Sequence, residues 1–212
     1  MNKTEIIVLS KPKLEHPIFV EGLSHMRGVG HPVTRMLIEH VNAVKFAELY
    51  SPHFPGYAIA EDNGLCHLPR YEFYASSEVH PNLVILAGTV QPLSTDTVAY
   101  YEVFQTIFDF VIELHCQTIV TFGQYLTNQV EHAFFIASTS DALSNLITTK
   151  VGGRLFRNGR IGGLIGMVLG FAELHKLPGI CILGSASEDT PWETITFPMF
   201  EYLLNVLNLT ET

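Results

Sequence analysis

Residues 83–87 (Leu-Val-Ile-Leu-Ala) run apolar without a break and stop at Gly88, the pattern of a strand buried on both faces. Residues 118–122, 134–137 and 179–183 read the same way. Between these runs the period changes. Val98, Tyr101, Phe104, Ile107, Phe108, Val111 and Leu114 recur at helical spacing and predict a helix over 97–115. Val33, Met36, Leu37, Val41 and Val44 predict another, opened by Pro32, whose fixed φ suits a first turn. Further helices are expected over 141–147, 162–174 and 191–207. Shorter strands are expected at 6–9, 17–20 and 45–50. The block 51–77, punctuated by Pro52, Pro55, Gly56, Gly64 and Pro69, predicts small strands at 57–60, 65–68 and 72–75, arranged as a meander at a sheet edge. Buried strands alternating with helices imply an α/β fold: a mainly parallel, twisted sheet with helices on both faces, in a single domain spanning residues 1–212.

Composition narrows the function. The 212 residues are 47% hydrophobic and only 16% charged, enough apolar material for a full core with some left at the surface for another subunit to cover. The net charge of −9, with no basic run, argues against a nucleic-acid partner. No Lys or Arg follows Lys176, whereas Glu188, Asp189, Glu193, Glu201 and Glu211 do, so the end of the chain is either a solvated acidic face or one that meets a basic partner. Cys66, Cys116 and Cys181 are odd in number and widely spaced. They suit a reducing compartment, and no hydrophobic signal core precedes them, so the expected location is cytoplasmic. The longest apolar tract, 161–171, is too short to span a bilayer, and no membrane association is expected.

Candidate chemistry is sparse. Gly184-Ser185-Ala186-Ser187-Glu188 follows a buried strand without forming a nucleophile elbow. No pair among the ten histidines has the four-residue spacing of a zinc helix, so no metal and no cofactor are expected. His25 and His31 share a glycine-rich loop, and Glu131 and His132 form an adjacent pair; both sets read as solvated or capping groups. Gly28-Val29-Gly30 lies between a strand and a helix, where free amides could hold an anion, or where the chain simply needs a tight connection. Gly28, Gly30, Gly184 and Ser185 are therefore the candidate ligand loops, with no catalytic residue assigned. Gly162, Gly166 and Gly170 line one face of a helix, and each interior glycine weakens it by roughly 0.5–1 kcal/mol. Close packing within the chain is the expected compensation, with a subunit contact or a bound anion as alternatives. In the last helix Trp192, Ile195, Met199, Tyr202, Leu203 and Val206 form one stripe that Phe200, Leu204 and Leu207 widen, predicting residues shared between the core and a subunit interface.

Several motifs in order carry a resemblance. Gly22 with Gly28 and Gly30 precedes the first helix, then come Ser51-Pro52-His53-Phe54-Pro55, Gly64-Leu65 before Leu68-Pro69, and the 83–88 run leading to Gln91-Pro92. Tyr101-Glu102, Phe122-Gly123-Gln124-Tyr125, the glycine-rich helix and Gly179-Ile180-Cys181-Ile182-Leu183-Gly184 follow. Together they resemble the archaeal and bacterial members of the proteasome assembly chaperone family, of the type named for the second chaperone subunit. The resemblance implies a phosphorylase/hydrolase-like α/β fold, self-association into a homo-oligomer, protein partners such as proteasome α-subunits, and no agreed catalytic residues. Relatives that assist proteasome assembly dock through a C-terminal hydrophobic-Tyr-any residue tail; this sequence ends Asn208-Leu209-Thr210-Glu211-Thr212, so docking by that route is not expected. Gly184-Ser185-Ala186 likewise departs from the family's Gly-Glu-Thr-like strand ending. The resulting expectation is a homo-oligomeric protein-binding module. The alternative is an enzyme of the same fold acting on a small nucleoside, peptide or carboxylate.

Overall fold

The computed structural model describes residues 1–23, 28–93, 97–127, 133–187, 189–191 and 193–209. In chain order its strands are β1 (Glu5–Val8), β2 (Ile18–Glu21), β3 (Val44–Tyr50), β4 (Ile59–Ala60), β5 (Cys66–His67), β6 (Tyr71–Ser76), β7 (Leu83–Ala87), β8 (Thr118–Leu126), β9 (Phe134–Ser138), β10 (Arg154–Leu155) and β11 (Gly179–Ala186). The helices are α1 (Gly30–His40), α2 (Thr97–Glu113), α3 (Asp141–Val151), α4 (Gly163–Leu174) and α5 (Glu193–Leu207).

Nine strands form one sheet in the order β1-β3-β6-β7-β2-β8-β11-β9-β10. Its middle, β7-β2-β8-β11, is parallel throughout. Residues there alternate between two cores: Phe19, Val84, Leu86 and Ile119 face α2 and α4, while Val20, Leu83, Ile85, Val120 and Ile182 face α1, α3 and α5. A strand packed on both sides needs apolar residues at every position, which is why these runs show no alternation. All eight residues of β11 are buried.

The flanks differ from the mainly parallel sheet expected. β1, β3, β6 and β7 pair antiparallel, and β9 lies antiparallel to β11. The turn between β6 and β7 is too short for a crossover, and short connections join antiparallel neighbours. The expected edge meander also resolves differently. β4 and β5 make a separate small hairpin, and β6 enters the main sheet between β3 and β7. Strand β6 has two characters: Tyr71, Phe73 and Ala75 enter the α2 core, whereas Glu72 and Tyr74 face the other way. Only Ile136 of β9 is fully buried, and β10 is too short to leave a sequence signal.

Helix α3 starts where Ser140 accepts a hydrogen bond from the Leu143 N–H at 3.3 Å, with Asp141 in the first turn and Lys150 in the last, both favourable to the helix dipole. It runs a turn past its expected end and stops at Gly152, with φ of 80°.

Candidate functional site

Strands β2 and β7 are parallel neighbours, yet the helices that follow them, α1 and α2, pack on opposite faces of the sheet. The outgoing chains diverge there, leaving a crevice beyond the carboxyl ends of the strands, the position where open α/β sheets bind ligands. Glu21 ends β2. Its side chain turns toward the α2 side and is fully buried. One carboxyl oxygen accepts the Leu23 N–H at 2.7 Å, and the other accepts the Thr121 hydroxyl from β8. Burial dominates these two bonds and raises the Glu21 pKa to about 7. The Tyr71 hydroxyl lies in the same layer, its pKa raised by burial and then by the charge of Glu21.

Two glycines let the walls close. A Cβ on Gly22 would lie 1.6 Å from Thr34 Oγ1. That hydroxyl sits 2.7 Å from Gly30 O and 3.2 Å from Gly22 O, fastening the first turn of α1 to the end of β2. A Cβ on Gly88 would lie 2.4 Å from the Tyr71 ring. Gly22→Ala should therefore displace Thr34 and cost about 1–3 kcal/mol of stability, read as a lowered urea midpoint; an unchanged midpoint would contradict this packing.

The crevice divides into two hollows. One, of about 290 Å³, lies on the α1 side and includes Thr34, Arg35, Arg70, Glu72, Tyr74 and Gly88 in its lining. Glu72 accepts from Lys45 at 3.0 Å, from Arg70 at 2.9 Å and from the Tyr74 hydroxyl at 2.8 Å. Burial acts to raise its pKa, but these donors together bring it below the usual carboxylate value. Glu48 is lowered for the same reason: Lys45, Tyr50 and Arg70 outweigh burial. His67 from the β4–β5 hairpin meets Glu61 at 2.8 Å, and the His31 pKa is lowered by burial and by Arg35.

The second hollow, of about 360 Å³, lies between the starts of α1 and α4, where Leu23, Val29, Phe122, Leu164 and Ile165 make it largely apolar. Gly28 and Gly30 line it. Gly184 and Ser185 do not join them. β11 continues to Ala186, so these residues stand within the strand rather than in a loop after it. Gly184 packs beneath Met199 and Ile195, and the buried Ser185 hydroxyl accepts the Ala133 N–H at 2.9 Å.

Five residues of the α5 stripe, expected to be shared between the core and a subunit interface, lie in the core of the single chain. Ile195, Met199, Tyr202, Leu203 and Val206 are all buried, and Tyr202 stacks on Phe134 while donating to Gly152 O. Phe200 is half-buried, edge-on to His40, and the exposed aromatic of this helix is Phe197. Trp192, His25, Glu131 and His132 lie outside the described residues.

The glycine face of α4 also departs from expectation. Gly162 and Gly170 have open space where a Cβ would project, so their face is not packed within the chain; Gly166 alone is tight, against the Ile161 carbonyl. Burial pushes the Cys116 thiol up to about 12 and raises that of Cys181, which leaves both protonated and unreactive. Among the described residues, no three His, Cys, Asp or Glu side chains gather as a metal centre requires, and no helix is long and apolar enough to cross a membrane.

Sequence reasoning missed Glu21, Arg70 and Glu72. Glu21 had one visible signal, a lone acid closing the apolar run Ile18-Phe19-Val20.

The PAC2 family model matches residues 19–210. An uncharacterized protein of Methanocaldococcus jannaschii, MJ1210, is 32% identical over 175 residues, covering 81% of this chain and 66% of that protein, just under two thirds of its length. The crystal structure of Pyrococcus furiosus PbaB, described as an archaeal proteasome activator, superposes with a TM-score of 0.90 at 30% identity, covering all of this chain and 92% of that one. P. furiosus PbaA, described as an archaeal homolog of proteasome-assembly chaperone, shares the fold with a TM-score of 0.79 at 18% identity, covering 100% of this chain and 84% of its own.

Proposed function

The chain belongs to the PAC2 family, and we propose that it works as a homo-oligomeric, chaperone-like binding module that engages proteasome subunits. The observation that carries this reading is the likeness to PbaB over the whole chain, at 30% identity and a TM-score of 0.90. That protein is described as a proteasome activator, and engagement of the proteasome is what is carried over to the proposal for this chain.

Self-association is proposed through the exposed face of α4. Gly162 precedes α4 in extended backbone, and on the helix Gly166 and Gly170 lead by four-residue steps to Leu174, which is 65% exposed. Tyr101 of α2, itself 55% exposed, lies against Phe171 beside this stripe, with Val98 further along the same helix. Gly170 faces open space, so it weakens the helix and gains no contact within the chain. A second copy laid against it would bring helices unusually close and cover the apolar rim. Leu174→Glu is expected to convert the oligomer to monomer at micromolar concentration in light scattering, with little change in folding. A wild-type protein that is already monomeric there would overturn the homo-oligomer.

The partner is tested by pull-down from source-cell lysate, with mass spectrometry and the native mass of the complex. Recovery of proteasome α-subunits is expected. Their clean absence would remove the proteasome reading and leave family and fold standing.

A further inference from the structure

We propose that the hollow beside Gly22 and Gly88 is a binding site for a small organic carboxylate, held by Arg35 and His31 over the first turn of α1. The site is independent of the protein-partner reading above. Its position comes from topology: Gly22 follows β2 and Gly88 follows β7, so the hollow opens at the point where the sheet's connections diverge to opposite faces.

The charges decide the class of ligand. Arg70 is held by Glu48 at 3.3 Å and Glu72 at 2.9 Å, and Lys45 completes a balanced set of two cations and two anions in the wall. Glu61 is engaged by His67. Arg35 is different. Its ion pair with Glu39 is 3.8 Å long with both side chains about 70% exposed, an arrangement that contributes little in water. Its guanidinium therefore stands at the rim with its charge available and its donors in the planar fork that fits a carboxylate. His31, one residue into α1 and half-buried, is kept short of protons by burial and by Arg35. An anion seated between the two would relieve that repulsion.

Size and lining favour an organic ligand over a bare ion. The volume of about 290 Å³ corresponds to roughly ten waters at about 30 Å³ each. Ile59 and Ala87 supply apolar wall, and the Tyr74 ring supplies a flat one. Thr34 is committed to Gly22 O and Gly30 O, so it shapes the floor rather than binding ligand. A chain of net charge −9 repels anions in general, so retention of one requires a local site of this kind.

The test is calorimetric titration of the full chain with succinate, with inorganic phosphate and chloride at matched ionic strength as comparisons. Saturable succinate binding is expected, with perturbed His31 ring resonances locating it and phosphate binding at least tenfold weaker. Arg35→Gln should weaken succinate by tenfold or more, while Arg157→Gln, on the exposed surface after β10, leaves it unchanged. The proposal is overturned if succinate gives no more heat than chloride, if phosphate binds equally well, if both variants respond alike, or if the shifted resonances lie elsewhere.

Discussion

Glu21→Gln is expected to make the protein more stable at pH 8 by up to roughly 3 kcal/mol, while leaving its stability near pH 4 almost unchanged. The carboxyl is fully buried, and its pKa stands at about 7 in the folded chain against 4.5 in an unfolded one. Between those values the unfolded chain releases the proton and the folded chain keeps it. The unfolded state then binds fewer protons, so the stability contributed by this group falls as pH rises from about 4.5 to 7. Below the window both states are protonated, and above it both are ionised, with the full penalty present. Glu48 and Glu72 act in the opposite sense. Their folded pKa values are lowered, so their contribution is present above the unfolded value and is lost as pH falls. The wild type alone therefore shows a blend, and the difference between wild type and variant isolates Glu21. Glutamine keeps both contacts, its carbonyl accepting from Leu23 and its amide donating to Thr121. Urea unfolding of both proteins at pH 4.5, 6 and 8 reads the result. Parallel stability curves would show that Glu21 does not titrate in this window.

The same residue marks where sequence reading reached its limit. Strand β7 was legible to its boundaries because burial on both faces forces an unbroken apolar run. The helices were legible because an amphipathic period survives any tertiary arrangement. Strand direction was not, since a strand buried on both faces looks alike whichever way its neighbour runs. Only connection length distinguishes the cases, as between β6 and β7. The polar hollow was hidden for a related reason. Arg70 and Glu72 are two residues apart, but Arg35 is remote from both in sequence and reaches them only because β6 inserts beside β7 while α1 returns over the same end of the sheet. Gly28 and Gly30 were singled out by their place before a helix, and they line the second hollow. Gly184 and Ser185 were assigned to a loop because the apolar run stops at Leu183, whereas β11 keeps pairing with β8 through Ala186. Pairing outlasted hydrophobicity there.

Leu203→Ala should cost about 2–5 kcal/mol of folding stability, the range for truncating a fully buried leucine, and should leave the association state of the folded protein unchanged. The width of the α5 stripe suggested a helix shared with a partner, but width alone does not separate a deep seat from a shared one. α5 packs against α1, α3 and β11 together, and three contacts need a broader apolar face than one. Leu203 and Met199 have no exposed surface, and Gly184 opposite Met199 and Ile195 leaves only enough room for those two side chains. Removing the leucine side chain opens a cavity that the surrounding sheet is too rigid to fill. Urea unfolding measures the loss, and light scattering on the folded variant measures association. If Leu203 belonged to a subunit interface, the variant would lose assembly with little loss of stability in the isolated subunit. The exposed Leu174 on α4 is expected to show that opposite pattern, so the two substitutions together separate the helix that builds the core from the helix proposed to carry the contact.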